Sequence, residues 1–250
     1  KALSIYLLIG IGLHGGAELA HASMGKAAGA MLAALALGIT LPLIAFAVLT
    51  RLGRIDGLNA AAIAAHYGSV SAATFLTAIA WLQSRDIPFE SYPVIMLAVM
   101  ESPAIIVGLL LAQKVRHAAD NAPAPSGLGA ALRKALTHGS VVLLLGSMMI
   151  GAVINPVSLQ AVEPFFRNIF MGALCLFLLE LGMVAADRLN EFRKVGAFLI
   201  GFGLLMPLIG AALGIVIGHY GLGFGAGGTT LVAVLGASAS YIAVPPAIRM

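Results

Sequence analysis

Two stretches place glycine and hydroxyl side chains inside otherwise apolar sequence: Gly68-Ser69-Val70-Ser71-Ala72-Ala73-Thr74, and Gly236-Ala237-Ser238-Ala239-Ser240-Tyr241, the second followed by Pro245-Pro246. A proline pair removes two backbone donors and clashes with the preceding turn, which predicts a helix broken between 240 and 246. Unwound backbone at membrane depth is tolerated only where it lines a cavity or is buried in protein. Two such helices facing each other would aim half-helix N-termini, the positive ends of their dipoles, at one point suited to an anion. The candidate substrate-binding residues are therefore Gly68, Ser69, Ser71, Thr74, Gly236, Ser238, Ser240 and Tyr241. The plainer alternative is that Gly, Ser and Ala simply let helices pack closely.

All 14 Lys and Arg fall near the ends of apolar runs. An anion in mid-membrane would then be balanced by dipoles, hydroxyls or a co-bound cation. Hard oxygen ligands suit such a cation, and Glu101, Ser71 and Ser240 are the candidate ligands for sodium, taken as a coupling ion with no resident cofactor. Glu101, in Met100-Glu101-Ser102-Pro103, stands near the centre of its run, where an unpaired carboxylate is costly and points to cation binding or proton coupling. Glu18 and Glu180 lie nearer the ends of theirs. His14 and His66 are proton carriers, ligands or packed hydrogen-bonders. Cys175 has no partner for a disulfide and sits in an apolar run, facing lipid or packed. His-Glu-x-x-His, Gly-x-x-x-x-Gly-Lys and Gly-x-Ser-Gly are all missing, so an enzyme is not expected.

These residues need a membrane around them, and the composition supplies the reason. The chain has 250 residues, 60% of them hydrophobic and 10% charged, with a mean hydropathy of +1.03. A soluble domain carries about 25% charged residues. Too few charges remain to coat a globule of this size in water, so lipid is the expected solvent. The pI of about 9.5 arises from basic residues in short connectors, which indicates topology and not nucleic acid.

At about 20 apolar residues per crossing, eight spans are expected: 3 to 20, 28 to 50, 58 to 84, 91 to 113, 138 to 155, 165 to 186, 196 to 219 and 227 to 248. The long connector 114 to 137, with Pro123, Pro125 and Gly127, reads as a flexible linker between units 1 to 113 and 138 to 250. Alternating crossings put Lys1, Arg51, Arg54, Lys114, Arg116, Arg133, Lys134, Arg188, Arg193, Lys194 and Arg249 on one side. Only Lys26, Arg85 and Arg167 fall on the other. The bias places the linker in the cytoplasm of a multi-pass protein of the bacterial inner membrane. The opening stretch lacks a signal-peptide cleavage site, and its first residue is Lys1, which suggests that the true start is missing.

The two units also resemble each other. Gly38-Ile-Thr-Leu-Pro42-Leu43-Ile44-Ala45 matches Gly203-Leu-Leu-Met-Pro207-Leu208-Ile209-Gly210, and the Gly68 and Gly236 stretches match in turn. Partners lie five spans apart, an odd number, so the second unit runs through the membrane in the opposite sense. The expected fold is thus an all-α inverted repeat of five-helix units with two broken, crossing helices. It would have ten spans when complete, with one helix missing at each end here.

The motifs resemble the sodium-dependent bicarbonate transporter family over nearly the whole chain. The resemblance is carried by Gly12-Leu13-His14-Gly15-Gly16, the Gly68 to Thr74 stretch, Met100-Glu101-Ser102-Pro103-Ala104, Phe166-Arg167, Gly182-Met183, Arg193-Lys194-Val195, His219-Tyr220, Gly223-Phe224, Gly227-Gly228 and Pro245-Pro246-Ala247-Ile248-Arg249. It implies a core domain moving against a gate domain, sodium-coupled bicarbonate uptake by alternating access, and a homotrimer. In cyanobacterial members a PII-type regulatory protein docks on the cytoplasmic face. The family has Asp at Glu101, Gly-Ser at Ala72 and Ala73, and Asp, Ser and Gly at Tyr241, Ala243 and Val244. A proton- or sodium-coupled carrier of another small organic or inorganic anion is the alternative. A channel, or a sensor scaffold binding a cytoplasmic regulator, is the alternative of another class.

Overall fold

The computed structural model describes residues 2–20, 23–120, 139–187 and 196–239. Within them the chain is helical: α1 (Ala2–Ala20), α2 (Met24–Arg51), α3 (Gly57–His66), α4 (Ala72–Ser84), α5 (Tyr92–Asp120), α6 (Gly139–Val153), α7 (Pro156–Glu163), α8 (Phe170–Asp187), α9 (Ala197–Ile215) and α10 (Ala226–Ala237). A π-helical turn at Pro164–Asn168 leads towards α8, and another at Val216–Gly221 extends α9.

Met24–Arg51, Phe170–Asp187 and Ala197–Gly221 are each long and apolar enough to cross a membrane. Their outward faces are apolar as well. Leu204, Leu205 and Leu208 of α9 are 69%, 60% and 65% exposed, and Leu176, Leu179 and Met183 of α8 are 59%, 60% and 57% exposed. Water would penalise such a surface at about 25 cal/mol per Å², whereas lipid does not.

The expected span 58 to 84 is two helices, α3 and α4, with a break over residues 67–71. The expected linker begins later than its composition suggests, since α5 continues to Asp120; residues 121–138 lie outside the described residues. The connector after α6 is itself a helix. Asn155 accepts the Ser158 N–H at 2.8 Å and Pro156 occupies the first turn, a start signal in which a missing donor costs nothing. Asp56 starts α3 in the same manner, its Oδ2 accepting the Leu58 and Asn59 N–H groups at 3.2 Å. Asp56→Ala is expected to cost about 1 kcal/mol, read as faster amide exchange at the start of α3.

Close packing follows the small residues. A Cβ on Gly12 would strike Ser147, one on Gly16 the Met148 carbonyl, and one on Gly151 the Leu13 carbonyl, so α1 and α6 meet backbone to backbone. The α9–α10 pair is equally close, with Gly210 against Gly236. Between these pairs, α2 packs on α3 and α5. Leu37, Leu41, Phe75, Met96, Met100, Leu231 and Leu235 form a continuous core with 3% exposure or less.

Candidate functional site: the crossing of α4 and α10

α3 ends with the Tyr67 N–H on the Ala64 carbonyl at 3.0 Å. Gly68 then passes so near α2 that a Cβ would strike Pro42 and lie 2.8 Å from the Gly38 carbonyl oxygen. Pro42 has no N–H to give that carbonyl, so an acceptor with a lost helical partner sits beside the break. Ser69 is fully buried, and its Oγ has no hydrogen-bond partner among the described residues. An unmade hydrogen bond on a buried hydroxyl costs about 1–3 kcal/mol.

Ser71 starts α4. Its Oγ accepts the Thr74 N–H at 3.3 Å and the Thr74 hydroxyl at 3.0 Å. The Ser71 N–H itself donates to Ser238 Oγ at 3.2 Å. Ser238 is 7% exposed, and its hydroxyl donates to the Leu235 carbonyl at 3.1 Å. This one side chain therefore closes the carbonyl end of α10 and the amide end of α4 together.

α10 ends at Ala237, and the break expected between 240 and 246 lies outside the described residues. Ser238 is already extended, with φ −81 and ψ 157. Gly236 lies in the last turn, and the Ser238 hydroxyl bonds back to the Leu235 carbonyl where the helix stops. Of the two half-helix N-termini expected, the described residues contain that of α4, facing the C-terminus of α10. A positive and a negative helix end in one place suit an anion and a cation together.

Of the expected substrate residues, Ser71, Thr74 and Ser238 are joined directly, and Ser69 is buried in the adjoining break. Gly68 and Gly236 are held by packing, against α2 and α9 respectively. Ser240, Tyr241 and the side chains of Glu101 and Glu18 lie outside the described residues. The backbone of Glu101 is in α5, between Met100 and Pro103, whose atoms lie nearest Gly38. Glu180 and Cys175 are exposed on α8, and His66 closes α3. Among the described residues no three His, Cys, Asp or Glu gather as a metal site.

His14 is elsewhere. Its Nδ1–H donates to the Gly10 carbonyl at 2.9 Å, while Nε2 is buried without a partner among the described residues. The ring helps line a cavity of about 510 Å³ between α1, α4 and α8, with Leu76, Gln83, Phe89 and Phe170. Leu76 is one turn along α4 from Ala72, so the cavity flanks the crossing. Sequence reasoning overlooked Glu90, whose Oε1 accepts the Gly225 N–H at 2.8 Å before α10. No local signal links residues so far apart in the chain.

Comparison with curated proteins gives no match. The family model of the Na+-dependent bicarbonate transporter superfamily matches residues 1–250, the whole sequence on which the helices and their crossing are built. The chain, a multi-pass membrane protein of a transporter family and not of an enzyme family, therefore belongs to the Na+-dependent bicarbonate transporter superfamily.

Proposed function

We propose that this protein takes up bicarbonate, or a similar small oxyanion, together with sodium, by alternating access around the crossing of α4 and α10. The observation that carries the proposal is the Ser71 N–H to Ser238 Oγ contact at 3.2 Å between residues 167 positions apart. It places an amide-rich helix start against a carbonyl-rich helix end. Beside it are a buried, unpartnered hydroxyl at Ser69 and the Gly38 carbonyl. The anion would lie at the α4 N-terminus with the Ser71, Thr74, Ser238 and Ser240 hydroxyls and Tyr241. Sodium would take Ser71, Ser240, neighbouring carbonyls and Glu101.

An inverted repeat of units 1–113 and 138–250, joined by a cytoplasmic linker at 114–137, fits the packing. α2 and α9, the proposed partners, each carry a mid-helix proline, Pro42 and Pro207, and each receives a glycine, Gly68 or Gly236, in close contact. The complete protein would then have ten spans. In this proposal it works as a homotrimer in the inner membrane, with a PII-like regulator as its cytoplasmic partner.

The test is uptake of labelled bicarbonate by the purified full-length protein in proteoliposomes. An inward sodium gradient is expected to raise initial uptake about tenfold over potassium. Uptake indifferent to sodium, but dependent on a proton gradient, would transfer the coupling to a proton. Flux far above carrier rates would mean a channel.

A further inference from the structure

The far end of α10 is held by a group that the transport proposal leaves unused. Gly225, the residue before the helix, has no side chain with which to cap it. Glu90 substitutes from the segment between α4 and α5, its Oε1 accepting the Gly225 N–H at 2.8 Å. A carboxylate in this position meets the unpaired N–H groups and the positive dipole end of the helix.

The surroundings are shaped to it. A Cβ on Gly228 would strike Glu90 Oε2, and one on Gly227 would strike the Pro88 carbonyl and come within 2.9 Å of the Phe89 Cβ. Two residues on, Tyr92 stacks on Phe224 with centroids 5.8 Å apart and planes 10° from parallel. The Tyr92 hydroxyl accepts the Ser23 N–H at 3.2 Å, at the start of α2. Residues 88–92 thus gather the starts of α2, α5 and α10 at one point. Glu90 supplies the polar contact to α10, and its Oε2 is buried without a hydrogen-bond partner among the described residues.

We infer that Glu90 is a positioning residue that fixes α10 along its axis, so that Ser238 at the other end meets Ser71. α10 is a 12-residue helix, about 18 Å long at 1.5 Å per residue. A helix this short passes an axial slip at one end to the other nearly undiminished. A slip of about 1 Å would take the 3.2 Å contact at Ser238 beyond hydrogen-bond range. Glu90 would set the substrate geometry without touching substrate. The inference about KM rests on the crossing being the transport site; the inference about α10 itself does not.

The experiment uses the full-length protein with Glu90→Ala, Glu90→Gln and Gly228→Ala, the last wedging the carboxylate off the helix while leaving it in place. In proteoliposomes, Glu90→Ala and Gly228→Ala are expected to raise KM for bicarbonate about tenfold with Vmax within about twofold. Glu90→Gln, which keeps an acceptor oxygen, is expected to restore most of the affinity. In detergent, amide exchange across Ala226–Thr230 is expected to quicken about tenfold in the first two variants and less in the third. Unchanged α10 exchange in both Glu90→Ala and Gly228→Ala overturns the inference, as does a fall in Vmax at constant KM. If the parent protein transports no bicarbonate, the exchange measurement alone decides. If Glu90→Ala does not fold, Glu90→Gln and Gly228→Ala decide by the same criteria.

Discussion

Ser238→Ala is expected to raise the KM for anion uptake by tenfold or more while leaving the protein folded. The substitution removes the acceptor of the Ser71 N–H and the donor to the Leu235 carbonyl. A buried group stripped of its partner costs about 1–3 kcal/mol, and 1.4 kcal/mol is a factor of ten in affinity. The cost falls at the start of α4, where the anion is proposed to bind. Ser238→Thr keeps the hydroxyl and is expected to lose less. Thr230→Ala is the control: that hydroxyl also bonds within α10, to the Ala226 carbonyl at 2.8 Å, but it lies on a half-buried side chain two turns before Ser238. Uptake kinetics of the three variants, at expression levels matched to the parent, check the prediction. Equal losses in Ser238→Ala and Thr230→Ala would remove the crossing from the mechanism.

Gly16→Leu is expected to have the largest effect on stability. The new side chain must occupy space held by the Met148 carbonyl, and neighbouring Gly12 and Gly151 leave α1 and α6 no slack along the same seam. Overpacking costs about 1–3 kcal/mol even where side chains can yield. Here the obstacle is backbone, so a loss of about 3 kcal/mol or more is expected. At the usual conversion for chains of this size that lowers Tm by roughly 6–12 °C, measurable by thermal denaturation in detergent. Gly201→Ala is the counterpart. Nothing lies within 4 Å of its added methyl, and removing a helix glycine gains up to about 1 kcal/mol. Its Tm is expected to hold or rise.

The contrast between these glycines bears on what the sequence can reveal. Gly16 and Gly201 both occupy apolar helices, and it is the partner helix against Gly16 that distinguishes them. The break after α3 was legible because Gly68 and Ser69 interrupt an apolar run, and the break is found at 67–71. α10 ends at Ala237 beside a Ser238 hydroxyl bonded to its own preceding turn, a local signal that the proline pair overshadows in the sequence, and the break expected at 240 to 246 lies outside the described residues. The Asn155-Pro156 start of α7 is a recognisable cap, but hydropathy over a span-length window averages an eight-residue helix away. Ser71 and Ser238 were both marked out by composition. That the amide of one meets the hydroxyl of the other depends on how α10 rests on α4, which is a property of the packed bundle. Glu90 shows the same limit, since its significance lies in Gly225, 135 positions away.

The second half of the first broken helix also carries Trp81, the chain's only tryptophan, half exposed, with the Arg85 guanidinium 5.5 Å from its ring centroid. A single indole on α4 makes the unlabelled protein its own optical probe. Its emission comes from one known place on a helix of the proposed site, and the nearby cation makes that emission sensitive to any rearrangement of the helix end. Binding of the proposed anion and sodium is therefore expected to be readable by fluorescence in a detergent cuvette, without radiolabel, vesicle or engineered dye.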